Sequence, residues 1–338
     1  MRRIQRATAV LGQPRLAMVS WIRYNPRSRE LAQALDAQAV YMPWAWHGQF
    51  LARTFLGWLR SGLRTWSVVR SLPSGSVVVT MAPPVFCPSV AWLAAWGRGV
   101  HLVIDLHSGG LNDARWRWSF GLMRWAIRRA DAVIVTNPDL LEGQNTRTTP
   151  VLVIQDPFWI GGRPEVGPAP MPGRPYAVFP ASGAPDEPID ALAEAAALLG
   201  GRVEVVVTGD RSVRSDTPGL RFTGFLPTGE FQNLVANATV VLALTTREAT
   251  MQRAAYEGLQ FGRPLVCSDT RVLRRVLANA AVFVENTGPA IAAGIIDAVT
   301  RANQLKAAGA AAQATIKSET ERGLAEVRAF AVAQSRPA

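Results

Sequence analysis

The residues best suited to chemistry lie between Thr239 and Thr270, TVVLALTTREATMQRAAYEGLQFGRPLVCSDT. An apolar run ending at Leu244 gives way to Thr245, Thr246, Arg247, Glu248, Ala249 and Thr250, and then to a helical pattern entered near Met251. Where a strand ends and a helix begins, free backbone N–H groups and the positive end of the helix dipole converge, and that combination holds anions. A diphosphate fits such a place. Glu257 follows two turns into the helix, and Gly262-Arg263-Pro264 ends it. The plain alternative is that Arg253 and Glu257 form an i,i+4 surface pair worth about 0.2–0.5 kcal/mol. A second cluster, Asp105-Leu106-His107-Ser108-Gly109-Gly110, follows an apolar run, so its polar side chains emerge at the carboxyl edge of a sheet, where doubly wound domains place ligands. Tyr24 to Arg29, YNPRSR, follows the first strand and is a candidate contact for an acceptor phosphate.

The elements that must position these groups alternate along the chain. In the first half, strands are expected at Arg15 to Trp21, Val77 to Thr80, Val100 to Asp105, Ala132 to Thr136 and Val151 to Ile154, with helices at Ser28 to Leu35, 85–97 and 112–130. Asp156 to Pro175 is loaded with Pro and Gly and reads as a linker. Strands then recur at Ala177 to Phe179, Val203 to Thr208, Thr239 to Leu244, Pro264 to Ser268 and Ala281 to Val284, separated by helices, and an Ala-rich helical tail closes the chain. Buried strands alternating with helices imply parallel sheets. The expected architecture is α/β, with two doubly wound Rossmann-like domains facing across a cleft: 1–156, a linker at 157–175, 176–300, and a helical tail at 301–338.

Composition bounds the partners. The 338 residues are 49% apolar and 18% charged, enough for two folded cores. Cys87 and Cys267 sit far apart in apolar or strand-like stretches, which speaks against a disulfide framework or a zinc site. No apolar run of about 18 residues is present. The net charge of +11 is unevenly spread: residues 1–160 hold 18 Arg against eight acids, while residues 161–338 are nearly neutral. That points to an anionic partner for the first half. Within Pro43 to Arg70, Trp44, Trp46, Phe50, Phe55, Trp58 and Trp66 interleave with Arg53, Arg60, Arg64 and Arg70, a composition suited to an interfacial helix on anionic lipid or, in the plain reading, to a core helix with a solvated basic face.

The stretch 239–270 resembles the nucleotide-sugar site of GT-B glycosyltransferases, particularly the family-4-like retaining enzymes. Val205 to Asp210 (VVVTGD), Arg221 to Pro227 (RFTGFLP) and Ala281 to Asn286 (AVFVEN) occur in the order that family shows. The resemblance implies that Glu257 binds ribose hydroxyls, Glu248 the donor-sugar hydroxyls, and the backbone N–H groups of Thr250, Met251 and Gln252 the diphosphate. Gly224, Phe225 and Leu226 line the base, and His107 touches the donor sugar with Asp105 orienting it or serving the acceptor. Two departures stand out: eight residues separate Glu248 from Glu257 where the family has seven, and 182–189 reads SGAPDEPI where the family carries a basic residue. Arg247 or Arg253 is the expected substitute for that cation.

The function implied is transfer of a hexosyl group, with retention, from a nucleotide-diphosphate sugar to a lipid-linked, polysaccharide or other glycan acceptor. The donor is a co-substrate, and no cofactor or metal is called for. The expected place of work is the cytoplasm, peripheral at the inner face of the membrane. The alternatives are a sugar-nucleotide epimerase, which needs more acid–base residues than three His suggest, and a non-catalytic basic protein binding membrane or nucleic acid. The sequence carries no nucleic-acid motif.

Overall fold

A computed structural model describes residues 16–22, 25–42, 51–144, 148–160, 162, 164–171, 173–209 and 218–334, the side chains of 51–54, 114, 115 and 334 excepted. The chain divides into two units, the first drawn from 1–135, 143–152 and 322–338 and the second from 136–142 and 153–321.

In the first unit the strands are β1 (Leu16–Ser20), β2 (Gln38–Tyr41), β3 (Val77–Ala82), β4 (His101–Leu106), β5 (Ala132–Val135) and β6 (Val151–Val153), in the order β2-β1-β3-β4-β5-β6. The pairings β1–β2, β1–β3, β3–β4 and β4–β5 are parallel, Ala17 lying opposite Val78 and Asp105 opposite Ile134. Every residue of β3 (VVVTMA) is buried, as expected of a parallel strand covered on both faces. The helices are α1 (Pro26–Ala34), α2 (Leu51–Arg70), α3 (Phe86–Ala95), the single turn α4 (Gly109–Asn112) and α5 (Phe120–Arg129). The first of these starts where it does because Asn25 Oδ1 accepts from Ser28 N at 3.0 Å and Pro26 supplies a preset φ.

The second unit holds β7 (Tyr176–Pro180), β8 (Glu204–Thr208), β9 (Leu220–Gly224), β10 (Val240–Ala243), β11 (Leu265–Ser268) and β12 (Ala281–Val284), in the order β12-β11-β10-β7-β8-β9, all pairings parallel. Its helices are α6 (Ile189–Leu199), α7 (Thr228–Ala236), α8 (Arg253–Gln260), α9 (Arg271–Leu277), α10 (Gly288–Thr300) and, as far as Glu321, α11 (Ala302–Gln334). Two cores flank the sheet: one includes Val206, Val241, Tyr256 and Leu265, the other Leu192, Val205, Leu242 and Ile295.

Several details differ from the sequence reading. The edge strand β2 has no counterpart in the apolar pattern of the sequence, and the stretch Arg221 to Pro227 supplies the greater part of strand β9. The helix expected over 112–130 is broken: a 3-10 turn covers Ala114–Ser119 before α5 begins at Phe120. The head of the Pro/Gly stretch belongs to the second unit, with Phe158 in its core and Gln260 Nε2 donating to Phe158 O at 3.0 Å. The last turns of α11 belong to the first unit, where Arg328 donates to Ala34 O and the Phe330 ring meets the His101 ring edge-on. Cys87 and Cys267 are both buried and unpaired.

Candidate functional site

The order of the second sheet fixes where a ligand can enter. From β7 the chain builds β8 and β9 to one side, then crosses to build β10, β11 and β12 on the other. At such a switch point the loops leaving adjacent carboxyl ends diverge and leave a crevice. Here those loops are 181–188 after β7 and 244–252 after β10. Three bonds tie them together: Thr245 Oγ1 donates to Asp186 Oδ2 at 2.6 Å, Thr246 N to Asp186 O at 2.9 Å, and Arg247 Nη2 lies 3.2 Å from Asp186 Oδ1. Below them Thr245 N donates to Ser268 Oγ (2.8 Å), Ser268 Oγ donates to Asn286 Oδ1 (2.6 Å), and Asn286 Nδ2 donates to Thr245 O (2.9 Å). This network makes Thr245 a fixed point from which the rest of the loop is hung.

The helix after the loop begins at Arg253, two residues later than the sequence suggested. Gln252 is extended (φ −76°, ψ 130°) and its Nε2 donates to Leu244 O at 3.3 Å, so the chain is still tied to the strand end at that point. The first-turn amides of α8 are therefore those of Arg253 and Ala254, rather than those of Thr250, Met251 and Gln252, while Ala255 N already donates to Gln252 O. Met251 packs against the core, and Thr250 Oγ1 is buried with no hydrogen-bond partner among the described residues. Helix α8 rides close on the sheet because residue 258 is Gly; any Cβ there would run into Leu265 and Val241.

Arg253 and Glu257 are neighbours, with Arg253 Nε 3.5 Å from Glu257 Oε1, and Arg253 Nη1 bonds Asp156 Oδ2 at 2.8 Å. The guanidinium is thus held between two carboxylates. Arg247 is likewise engaged, by Asp186, so neither expected substitute for the family's cation stands uncompensated. Glu248 is exposed and its Oε2 accepts from Arg271 N at 3.0 Å, across the head of α9. Arg271 in turn reaches Asp139 and Glu142, and with Arg275, Pro138 and Leu141 they line a cavity of about 380 Å³. At the end of β9, Gly224 turns the chain with φ +76°, leaving Phe225 78% exposed while Leu226 tucks against the core. The bare Phe225 ring is a ready stacking surface.

In the first unit Asp105, on β4, is fully buried. Its Oδ1 accepts from Arg27 Nε (3.1 Å) and Nη2 (2.9 Å), and its Oδ2 faces His107 Nε2 at 3.1 Å. Burial alone would raise the Asp105 pKa, but the Arg27 guanidinium and His107 overcome it and hold the carboxyl well below the usual carboxylate range. With no surface of its own, Asp105 orients rather than contacts a ligand. His107 is partly exposed, and the bond to Asp105 assigns the proton to Nε2 and turns Nδ1 away from the carboxylate. Arg27, read from sequence as part of a phosphate contact, is spent on Asp105; Tyr24 lies outside the described residues.

The basic aromatic segment divides. Trp44, Trp46 and Phe50 lie outside the described residues, as does the Arg53 side chain. Trp58 turns inward, its ring 4.9 Å from that of Phe86 and 6.3 Å from that of Trp118. Helix α2 instead bares Phe55 (65%), Leu56, Leu59, Leu63 (63%) and Trp66, a stripe at helical spacing bordered by exposed Arg60 and Arg64. Among the described residues no helix is long and apolar enough to cross a membrane.

Residues 174–301 match the family model for glycosyl transferases group 1. No curated protein sequence matches the chain significantly. Among solved structures, HepE of Anabaena in complex with UDP-glucose superposes with a TM-score of 0.69 at 13% identity, covering 94% of this chain and 99% of that one. The sucrose-phosphate synthase of Thermosynechococcus elongatus gives 0.62 at 13% identity over 95% and 97%. A glycosyltransferase of Rickettsia africae gives 0.61 at 12% identity over 95% and 99%. Two six-stranded parallel sheets and these likenesses together give the chain the GT-B fold, and its residues 174–301 are similar to the glycosyl transferases group 1.

Proposed function

We propose that this chain is a retaining hexosyltransferase that moves a sugar from a nucleotide-diphosphate donor to a lipid-linked, polysaccharide or other glycan acceptor. What supports the reading most is the meeting, at the switch point of the second sheet, of the loop 244–252 and the head of α8, with Glu257 paired to Arg253 one turn into that helix, within the segment that matches the family. The HepE structure contains UDP-glucose, in keeping with a nucleotide sugar as donor.

In this reading Phe225, with Gly224 and Leu226, receives the base, Glu257 the ribose diol, and Glu248 the sugar hydroxyls. The amides at the head of α8 face the diphosphate, and the helix dipole steadies the negative charge that develops as the sugar departs. His107, preset by Asp105 and Arg27, is the polar group the first unit offers. The stripe of α2 beside Arg60 and Arg64 rests on an anionic membrane surface, which suits an acceptor carried on lipid in polysaccharide assembly.

The test is a thermal-shift titration of UDP, GDP, ADP and dTDP with the parent and Glu257→Ala. A ligand at a hundred times its Kd stabilises the folded state by about 2.7 kcal/mol. One nucleotide should raise the midpoint of the parent, and Glu257→Ala should lose about 1.5–3 kcal/mol of that binding. If no nucleotide binds the parent, or Glu257→Ala binds it equally well, the donor site is misplaced.

A further inference from the structure

The loop after β7 holds an anion of its own. Ser182 N and Ser182 Oγ donate to Glu187 Oε1 at 2.7 and 2.8 Å, and Gly183 N donates to Glu187 Oε2 at 3.0 Å. Two successive amides and a hydroxyl therefore converge on one two-oxygen anion. Consecutive N–H groups curved in this way form a concavity that takes phosphate oxygens as readily as carboxylate oxygens. Gly183 sits at φ +77°, a conformation glycine adopts without penalty, and this turns its amide inward. The turn is pinned in place: residue 209, at the end of β8, is Gly at φ +93°, and any Cβ there would overlap the Ala181 carbonyl. It lies on the same switch point as the loop 244–252.

The neighbouring residue completes the picture. Asp186 is buried, accepts from Thr245 Oγ1 and pairs with Arg247, so it is built into the framework. Glu187 is only half-buried, the hydrogen bonds to its carboxylate among the described residues come from its own loop, and it precedes α6, which begins at Ile189. One acid of the pair neutralises the nearby cation, and the other fills the nearby ring of donors.

We propose that Glu187 is an internal competitor for a donor phosphate: its carboxylate occupies the Ser182–Gly183 nest, and a phosphate group binds there by displacing it. This rests on the donor reading given above and adds a residue that sets donor affinity. It accounts physically for an acidic residue in this loop: the docked carboxylate satisfies the two amides while no ligand is bound, and phosphate binding is weakened by the work of undocking it.

The experiment is calorimetric titration of the full chain and of Glu187→Gln with UDP, inorganic pyrophosphate and uridine. Removing one negative charge a few ångströms from a bound anion at a partly solvated site is expected to tighten pyrophosphate and UDP roughly tenfold, with uridine unchanged. In the parent, an amide NMR titration with pyrophosphate should move the Ser182 and Gly183 signals, a readout that does not depend on any variant folding. If UDP binds the parent but Glu187→Gln binds it no tighter, or the two amides stay still, the inference is overturned and the donor reading survives. If neither protein binds UDP, GDP, ADP or dTDP, the donor reading falls and this inference with it.

Discussion

Replacing Arg27 with Met should destabilise the first unit strongly, and the loss should depend on pH in a defined direction. Asp105 is fully buried, and both strong donors to its Oδ1 come from Arg27, leaving His107 at Oδ2 as its side-chain partner among the described residues once the guanidinium is gone. Removing one partner of a buried ion pair costs about 3–5 kcal/mol, because an uncompensated charge stays behind. In the parent, the folded pKa of Asp105 lies below its unfolded value of about 3.9, so its contribution is complete above that value and is lost as pH falls through the folded pKa. In Arg27→Met, burial is opposed by His107 without the guanidinium, the carboxyl pKa rises, and protonation relieves the variant at mildly acidic pH. The stability difference should therefore be largest at neutral pH and shrink as pH is lowered toward about 4. Urea unfolding followed by tryptophan fluorescence reads this unit, since ten of the eleven Trp residues precede residue 136. A difference below about 1 kcal/mol at neutral pH, or one that grows on acidification, would refute the reasoning.

Two further outcomes follow from exposed groups. Phe225→Ala should weaken nucleotide binding by about 1–3 kcal/mol through lost stacking, while leaving pyrophosphate affinity and thermal stability unchanged because the ring makes little contact with the fold; equal nucleotide affinity in titration would remove Phe225 from the base site. In sedimentation with anionic vesicles, Arg60→Gln with Arg64→Gln should remove a salt-sensitive part of binding, about 1 kcal/mol per Arg, and Ser in place of Phe55, Leu59 and Leu63 should remove the salt-resistant part; a parent that ignores such vesicles at low salt rules out attachment through α2.

The sequence made the layered α/β architecture legible because parallel strands buried on both faces must be apolar and β-branched, and runs such as VVVTMA in β3 and EVVVT in β8 announce themselves. The two strands that were missed, β2 (QAVY) and β9 (LRFTG), are two of the four edge strands; they carry exposed positions and polar residues and so lack the continuous apolar run that still marks the edge strands β6 (VLV) and β12 (AVFV). The loop after β10 was legible as a site because its polar residues interrupt a strong strand and helix pattern. Its local geometry was not, since the start of α8 is set by Gln252 reaching back to Leu244, a contact that no periodicity reports.

What stayed hidden most completely was the pairing of charges. Arg27 and Asp105 are 78 positions apart and meet only because β1 and β4 flank β3, which places the head of α1 over the end of β4. Asp186 and Arg247 meet because β7 and β10 are adjacent at the point where the sheet changes direction. In both units charged residues that a motif would nominate as ligand contacts are already paired with residues brought from a neighbouring element. A cation or carboxylate at a strand end therefore says where a site can be, while the strand order decides how much of its charge is left for a ligand, and Arg247, matched by Asp186, illustrates how far the second can reduce the first.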